Sequence, residues 1–190
     1  MIVLVTGASH AGKTLLAQKL LEKFAFPYLS IDHLKMGLIR SGYTKLTPED
    51  DDKLTDYLWP VVREMIKTAI ENKQNLVVEG CYVPADWRKD FDETYISEIY
   101  FVCLALSNSY IDSNFDKILS HASDIEARLD DSYLTRDFVK AENESFIKMF
   151  EKAGEEVTLV SSDYEVTIER VIEKISEREH VGKEHAKGKR

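Results

Sequence analysis

Ile2-Val3-Leu4-Val5-Thr6-Gly7-Ala8-Ser9-His10-Ala11-Gly12-Lys13-Thr14 decides the fold of this chain. Ile2 to Val5 is a short, branched apolar run that stops at Gly7, the mark of a buried strand. From Thr14 the pattern changes: Leu16, Leu20 and Phe24 recur every four residues, so a helix follows. Between strand and helix lies Gly7 to Thr14, which matches G-x-x-x-x-G-K-[ST] at every fixed position. With Gly at ~7% of average usage, a chance match in a chain this long is on the order of one per cent. The strand before it and the helix after it are the setting the motif requires. The glycines let the backbone curl so that successive N–H groups point at phosphate oxygens. The helix N-terminus adds a dipole that favours the anion. Gly7, Ala8, Ser9, His10, Ala11, Gly12, Lys13 and Thr14 are therefore the expected cofactor-binding set. Lys13 can reach β and γ phosphates, and the Thr14 hydroxyl can ligate Mg²⁺. His10 sits at a variable position, where its backbone is expected to matter.

Working outward, short apolar strands alternate with helices. Pro27 opens a second strand, Tyr28-Leu29-Ser30-Ile31, which ends at Asp32. A short helix around Leu34, Leu38 and Ile39 stops at Ser41-Gly42. Thr47-Pro48-Glu49-Asp50 reads as the start of the next helix, with Thr47 as cap and Pro48 at the first position. Pro60 is expected to kink or split that helix near Trp59. Leu76-Val77-Val78 is a third strand ending at Glu79-Gly80, Ile99 to Leu106 a fourth, and Val157 to Val160 a fifth. Residues 109–121, 136–153 and 165–175 read as helices. Such alternation implies a parallel sheet covered on both faces.

The chain has 190 residues with 44% hydrophobic and 31% charged residues, which suits one folded domain. Its net charge of -9 argues against duplex DNA or an anionic membrane as the main partner. No apolar stretch approaches the roughly 18 residues of a membrane helix. Cys81 and Cys103 show neither metal-ligand spacing nor a disulfide framework, so a reduced, cytoplasmic setting is expected. From 176 to 190 the chain is charged and lacks apolar periodicity, which reads as a mobile tail.

The phosphate loop, with the strand and helix order over residues 1–175, resembles the small P-loop kinases of metabolites and nucleotides. That family includes adenylate, shikimate and gluconate kinases, antibiotic phosphotransferases and zeta-toxin-like proteins. The resemblance implies one α/β domain over residues 1–175, a three-layer sandwich. Its five-stranded parallel sheet has the order 2-3-1-4-5. A substrate-binding helical region falls at about 33–75 and a short lid at about 123–137. It implies ATP and Mg²⁺ as cofactors and a small-molecule acceptor as partner, in a monomer or homodimer.

On that plan Asp32 lies near the acceptor, where a carboxylate takes or orients a hydroxyl proton; capping the next helix is an equally open role. Arg40 is a candidate for holding an acceptor anion, or simply a cation at a helix end. Glu79 is a candidate for acceptor or metal-water contact, and Arg88 for an acceptor anion. Adenylate kinases carry Asp-Gly-Phe-Pro-Arg at this point, and Glu79-Gly80-Cys81-Tyr82-Val83-Pro84-Ala85-Asp86-Trp87-Arg88 matches it only loosely. Arg128 and Arg136 are the lid cations, although the acids around them also suit plain surface pairing. Ser161-Ser162-Asp163-Tyr164 would lie against the adenine or form a capping turn.

No N-K-x-D, H-R-D or D-F-G motif is present, which sets aside signalling GTPases and protein kinases. The reading is an ATP-dependent phosphotransferase that moves the γ-phosphoryl to a small acceptor, with Lys13, Asp32, Arg128 and Arg136 as catalytic residues. The acid at position 32 leans toward a hydroxyl acceptor. A nucleoside monophosphate kinase and an ATP-binding regulatory module are the alternatives.

Overall fold

The computed structural model describes residues 1–121 and 134–187. Five parallel strands form one sheet in the order β2-β3-β1-β4-β5: β1 (Ile2–Gly7), β2 (Tyr28–Ser30), β3 (Leu76–Glu79), β4 (Ile99–Leu106) and β5 (Val157–Val160). The helices are α1 (Lys13–Phe24), α2 (Ile31–Arg40), α3 (Asp51–Glu71), α4 (Glu93–Ile96), α5 (Asn108–His121), α6 (Arg136–Lys152) and α7 (Tyr164–Lys187). The strand order is the one that the family resemblance implies.

β1 lies at the centre of the sheet, with all six residues buried. Alternation along it feeds two cores. Val3 and Val5 pack with Leu16 and Leu20 of α1, Ile111 of α5 and Ile168 and Ile172 of α7. Ile2 and Leu4 pack on the opposite side with Leu54, Leu58, Val62 and Ile66 of α3, and with Trp87. The apolar runs seen in the sequence are thus strands with both faces covered.

Three boundaries differ from the sequence reading. α3 begins at Asp51, because Asp50 turns back to accept the Thr47 N–H at 3.0 Å and so closes a turn ahead of the helix. α3 then runs unbroken through Pro60, whose ring faces solvent while buried Leu58, Trp59 and Val62 bind both halves to the sheet. α7 continues past Ser176 to Lys187, where a tail was expected. Arg178 ties this extension down: it donates to the Ser97 carbonyl at 2.6 Å and lies 5.5 Å from the Tyr100 ring centroid. Among the described residues no helix is long and apolar enough to cross a membrane.

Register sets the position of the site. Val5 and Ser30 both pair with Glu79, and Gly7 pairs with Leu104. The carboxyl ends of β1, β2 and β3 are therefore level. β1 connects outward to β2 and β3 connects back across to β4, so the crevice of the sheet opens beside β1.

Candidate active site

Gly7 to Gly12 leaves β1 and turns sharply into α1. Three residues hold positive φ: Gly7 at 151°, His10 at 62° and Gly12 at 86°. Such alternation folds successive N–H groups into a concave cradle for an anion. Gly12 sits at the N-cap of α1 without a capping side chain, and the first helical turn carries no acid. The free N–H groups and the positive helix end are thus left for a ligand. Lys13 Nζ donates to the Ala8 carbonyl at 2.8 Å, which folds the lysine across the loop. The Thr14 hydroxyl donates to Glu79 Oε2 at 3.3 Å. Glu79 is 1% exposed, so a carboxylate and a hydroxyl stand together beneath the loop. This pair fits Mg²⁺, which takes one or two protein oxygens and completes its shell with water and phosphate.

Beyond the end of β2, Asp32 lies in the first turn of α2. The N-cap of that helix is Ser30, so Asp32 is not the cap that the sequence allowed. Its Oδ1 instead accepts from Lys35 Nζ at 2.7 Å. Lys35 also donates to the Tyr82 hydroxyl at 2.8 Å, and Tyr82 donates to Asp51 Oδ1 at 2.7 Å. The lysine ammonium lies 4.9 Å from the Tyr82 ring centroid. Burial is the main reason the Tyr82 phenol is held well above its usual range, so it stays protonated and acts as a donor. Burial likewise pushes the neighbouring Cys81 thiol up to about 11, which makes it a neutral lining group rather than a nucleophile. Lys35 was legible as the i+3 neighbour of Asp32 on a helix. Tyr82 and Asp51 carried no sequence signal, because only the fold brings their elements together.

The arginines are placed differently from one another. Arg40 is the exposed last residue of α2. Arg88 is engaged elsewhere: its Nε and Nη2 donate to Glu155 at 2.5 and 3.0 Å, and its guanidinium stacks on Trp87. It is not brought to the phosphate loop. Arg136 opens α6 and lies 5.1 Å from the Phe115 ring centroid. Arg128 and residues 123–133 of the expected lid lie outside the described residues.

Two side chains from outside the motif touch the loop: Glu142, which the sequence did not flag, and Tyr164, which it placed only in a segment against the adenine or in a capping turn. Glu142 of α6 accepts the Ser9 N–H through Oε1 at 3.4 Å. Tyr164, at the start of α7, donates to the Gly12 carbonyl at 3.1 Å. Burial holds the Tyr164 hydroxyl well above its usual range, which keeps it a donor. Next to it, Asp163 accepts the Val166 N–H at 3.0 Å. The segment from 161 to 164 therefore caps α7 while it braces the phosphate loop.

Among curated proteins none matches the chain in sequence. Solved structures share its fold. One is an unliganded sugar kinase from Janibacter sp. HTCC2649, with 16% identity and a TM-score of 0.52 over 92% of this chain and 94% of that one. Another is deoxyadenosine kinase from M.mycoides, with 14% identity and a TM-score of 0.55 over 93% of this chain and 100% of that one. The same kinase with bound dATP also gives a TM-score of 0.55, at 15% identity, over 93% of this chain and 99% of that one. The zeta toxin family model matches residues 1–110, which hold the phosphate loop, Asp32 and Glu79. With more than half of its length under that model, this chain belongs to the zeta toxin family.

Proposed function

We propose that the protein is an ATP-dependent phosphotransferase that moves the γ-phosphoryl group to a hydroxyl of a small molecule. One observation carries this reading: the phosphate cradle at the start of α1 is flanked, at the level strand ends, by the carboxylates Glu79 and Asp32. A nucleotide held by its phosphates there points its last phosphorus toward the Asp32 side. The acceptor oxygen attacks that phosphorus, the bond to the β-phosphate oxygen breaks, and ADP leaves. The hydroxyl proton passes to Asp32. Lys13 turns from Ala8 to the β and γ oxygens and balances their charge. Thr14 and Glu79 would hold Mg²⁺, which supplies further neutralisation of the phosphates. Arg136 and Arg128 are the candidates for closing over the transferred group. Arg40 is free in position to meet an acceptor anion.

The similar structures support a hydroxyl acceptor, since sugars and deoxyadenosine both offer hydroxyls. The test is ADP release from Mg-ATP across a panel of nucleosides, nucleoside monophosphates, sugars, sugar acids, phosphoglycerates and aminoglycosides. Stimulation by a hydroxyl class, and a loss of about 10²–10³-fold in Lys13→Ala, is the expected result. Near-normal turnover in that variant overturns the assignment. ATP binding without stimulation by any acceptor favours a regulatory nucleotide-binding module.

A further inference from the structure

Lys35 has no place in the reading above, yet three elements converge on it. Its side chain is 12% exposed, while that of Asp32 is 33% exposed. An i,i+3 pair on an open helix face is worth little, because water screens it and two flexible side chains must be ordered. This pair is neither open nor loose. The Tyr82 hydroxyl, on a residue 3% exposed, fixes the ammonium from the segment after β3. Asp51, the first residue of α3, fixes that hydroxyl in turn. The donors run in one direction, from Lys35 to Tyr82 to Asp51, so each group has a single best orientation. Lys35 occupies Oδ1 of Asp32 only; Oδ2 has no hydrogen bond among the described residues.

We infer that Lys35 is a positioning residue for the transfer step: held by Tyr82 and Asp51, it aims the Asp32 carboxylate so that Oδ2 meets the incoming hydroxyl. The inference rests on the reading of Asp32 as the proton acceptor. A carboxylate with two free torsions samples many orientations, and an anchored ammonium selects one. Lys35 acts through Asp32, the carboxylate to which it donates.

The test is a double-mutant cycle read with water as the acceptor, which removes any contribution from acceptor binding. Single-turnover hydrolysis of Mg-ATP and ATP affinity are measured for wild type, Asp32→Asn, Lys35→Met and the double variant. Asp32→Asn should slow hydrolysis about 10²-fold. Lys35→Met should slow it about tenfold, the worth of one charge-assisted bond. Neither change should move ATP affinity, and Lys35→Met should add nothing in the Asp32→Asn background. Tyr82→Phe, which deletes one hydroxyl, should follow Lys35→Met with a smaller loss and carries the same cycle if Lys35→Met does not fold. A wild-type rate in Lys35→Met and Tyr82→Phe, with Asp32→Asn still slow, overturns the inference and leaves the base intact. An equal loss from Lys35→Met in both backgrounds also overturns it, since Lys35 would then act alone. A wild-type rate in Asp32→Asn removes the base itself, and the positioning role with it.

Discussion

Gly7 and Gly12 hold the phosphate loop for different reasons, and a methyl group at each separates them. A Cβ on Gly7 would lie 2.1 Å from the Leu104 carbonyl oxygen, in the backbone of the neighbouring strand. That atom cannot move without opening the β1–β4 ladder. Gly7→Ala is expected to cost about 3 kcal/mol or more of stability, measured as a shift in the urea midpoint. A Cβ on Gly12 would lie 1.9 Å from the Tyr164 hydroxyl, the tip of a side chain that can swing away. Gly12→Ala should therefore cost less stability and more nucleotide affinity, because the loop loses its brace and its φ of 86° together. An equal loss of stability in the two variants would contradict this distinction. At this scale, legibility follows covalent distance. Lys13 and Thr14 were readable because the motif fixes their spacing. Lys35 was readable in principle from helical geometry. Glu142 and the contact of Tyr164 with the loop were not, since each side chain reaches it across more than a hundred residues of chain.

Elements were legible where periodicity dominated and illegible where single side chains decided the outcome. Every strand fell within a residue or two of its expected place. Pro60 was expected to kink or split α3; it does not split it, because the buried stripe of Leu54, Leu58, Val62 and Ile66 outweighs one missing hydrogen bond. Pro60→Ala restores that bond on an exposed face, and it should raise the urea midpoint by about 1–3 kcal/mol in stability. An unchanged or lower midpoint would show that the helix had already adapted to the ring. Arg88 was legible as a candidate for an acceptor anion only through the family plan; its partner, Glu155, lies beyond α6. The Glu155 side chain is 5% exposed, so removing the guanidinium strands a buried carboxylate. Arg88→Met should lower stability by about 1–3 kcal/mol while the acceptor KM stays constant. A raised KM without loss of stability would return Arg88 to the acceptor site.

For the whole molecule, alternation of strand and helix pointed to a covered parallel sheet, but several strand orders satisfy that pattern. The order 2-3-1-4-5 came from the family resemblance carried by the phosphate loop. A sheet covered on both faces buries groups that titrate, and this gives the molecule a definite response to alkali. Cys81 and Cys103 have thiols pushed up, mainly by burial, to about 11 and about 12 from an ordinary 9.0. Below pH 9 both states of the chain hold these protons, and the thiols leave stability unchanged. As the pH rises past 9 the unfolded chain releases them and the folded chain does not. The unfolded state then binds fewer protons, so stability falls with pH, by at most about 1.4 kcal/mol per unit for each thiol. Buried Tyr82 and half-buried Tyr164 add to the fall above pH 10. Growing negative charge also works against a chain that already carries -9. The thiol contribution can be isolated by comparing urea midpoints at pH 8, 9 and 10, under reducing conditions, for wild type and Cys81→Ala/Cys103→Ala. The wild type should lose stability across this interval and the double variant should lose distinctly less. Parallel profiles would mean that the thiols ionise as readily in the folded protein as in the unfolded one, and that both cores admit more water than their packing implies.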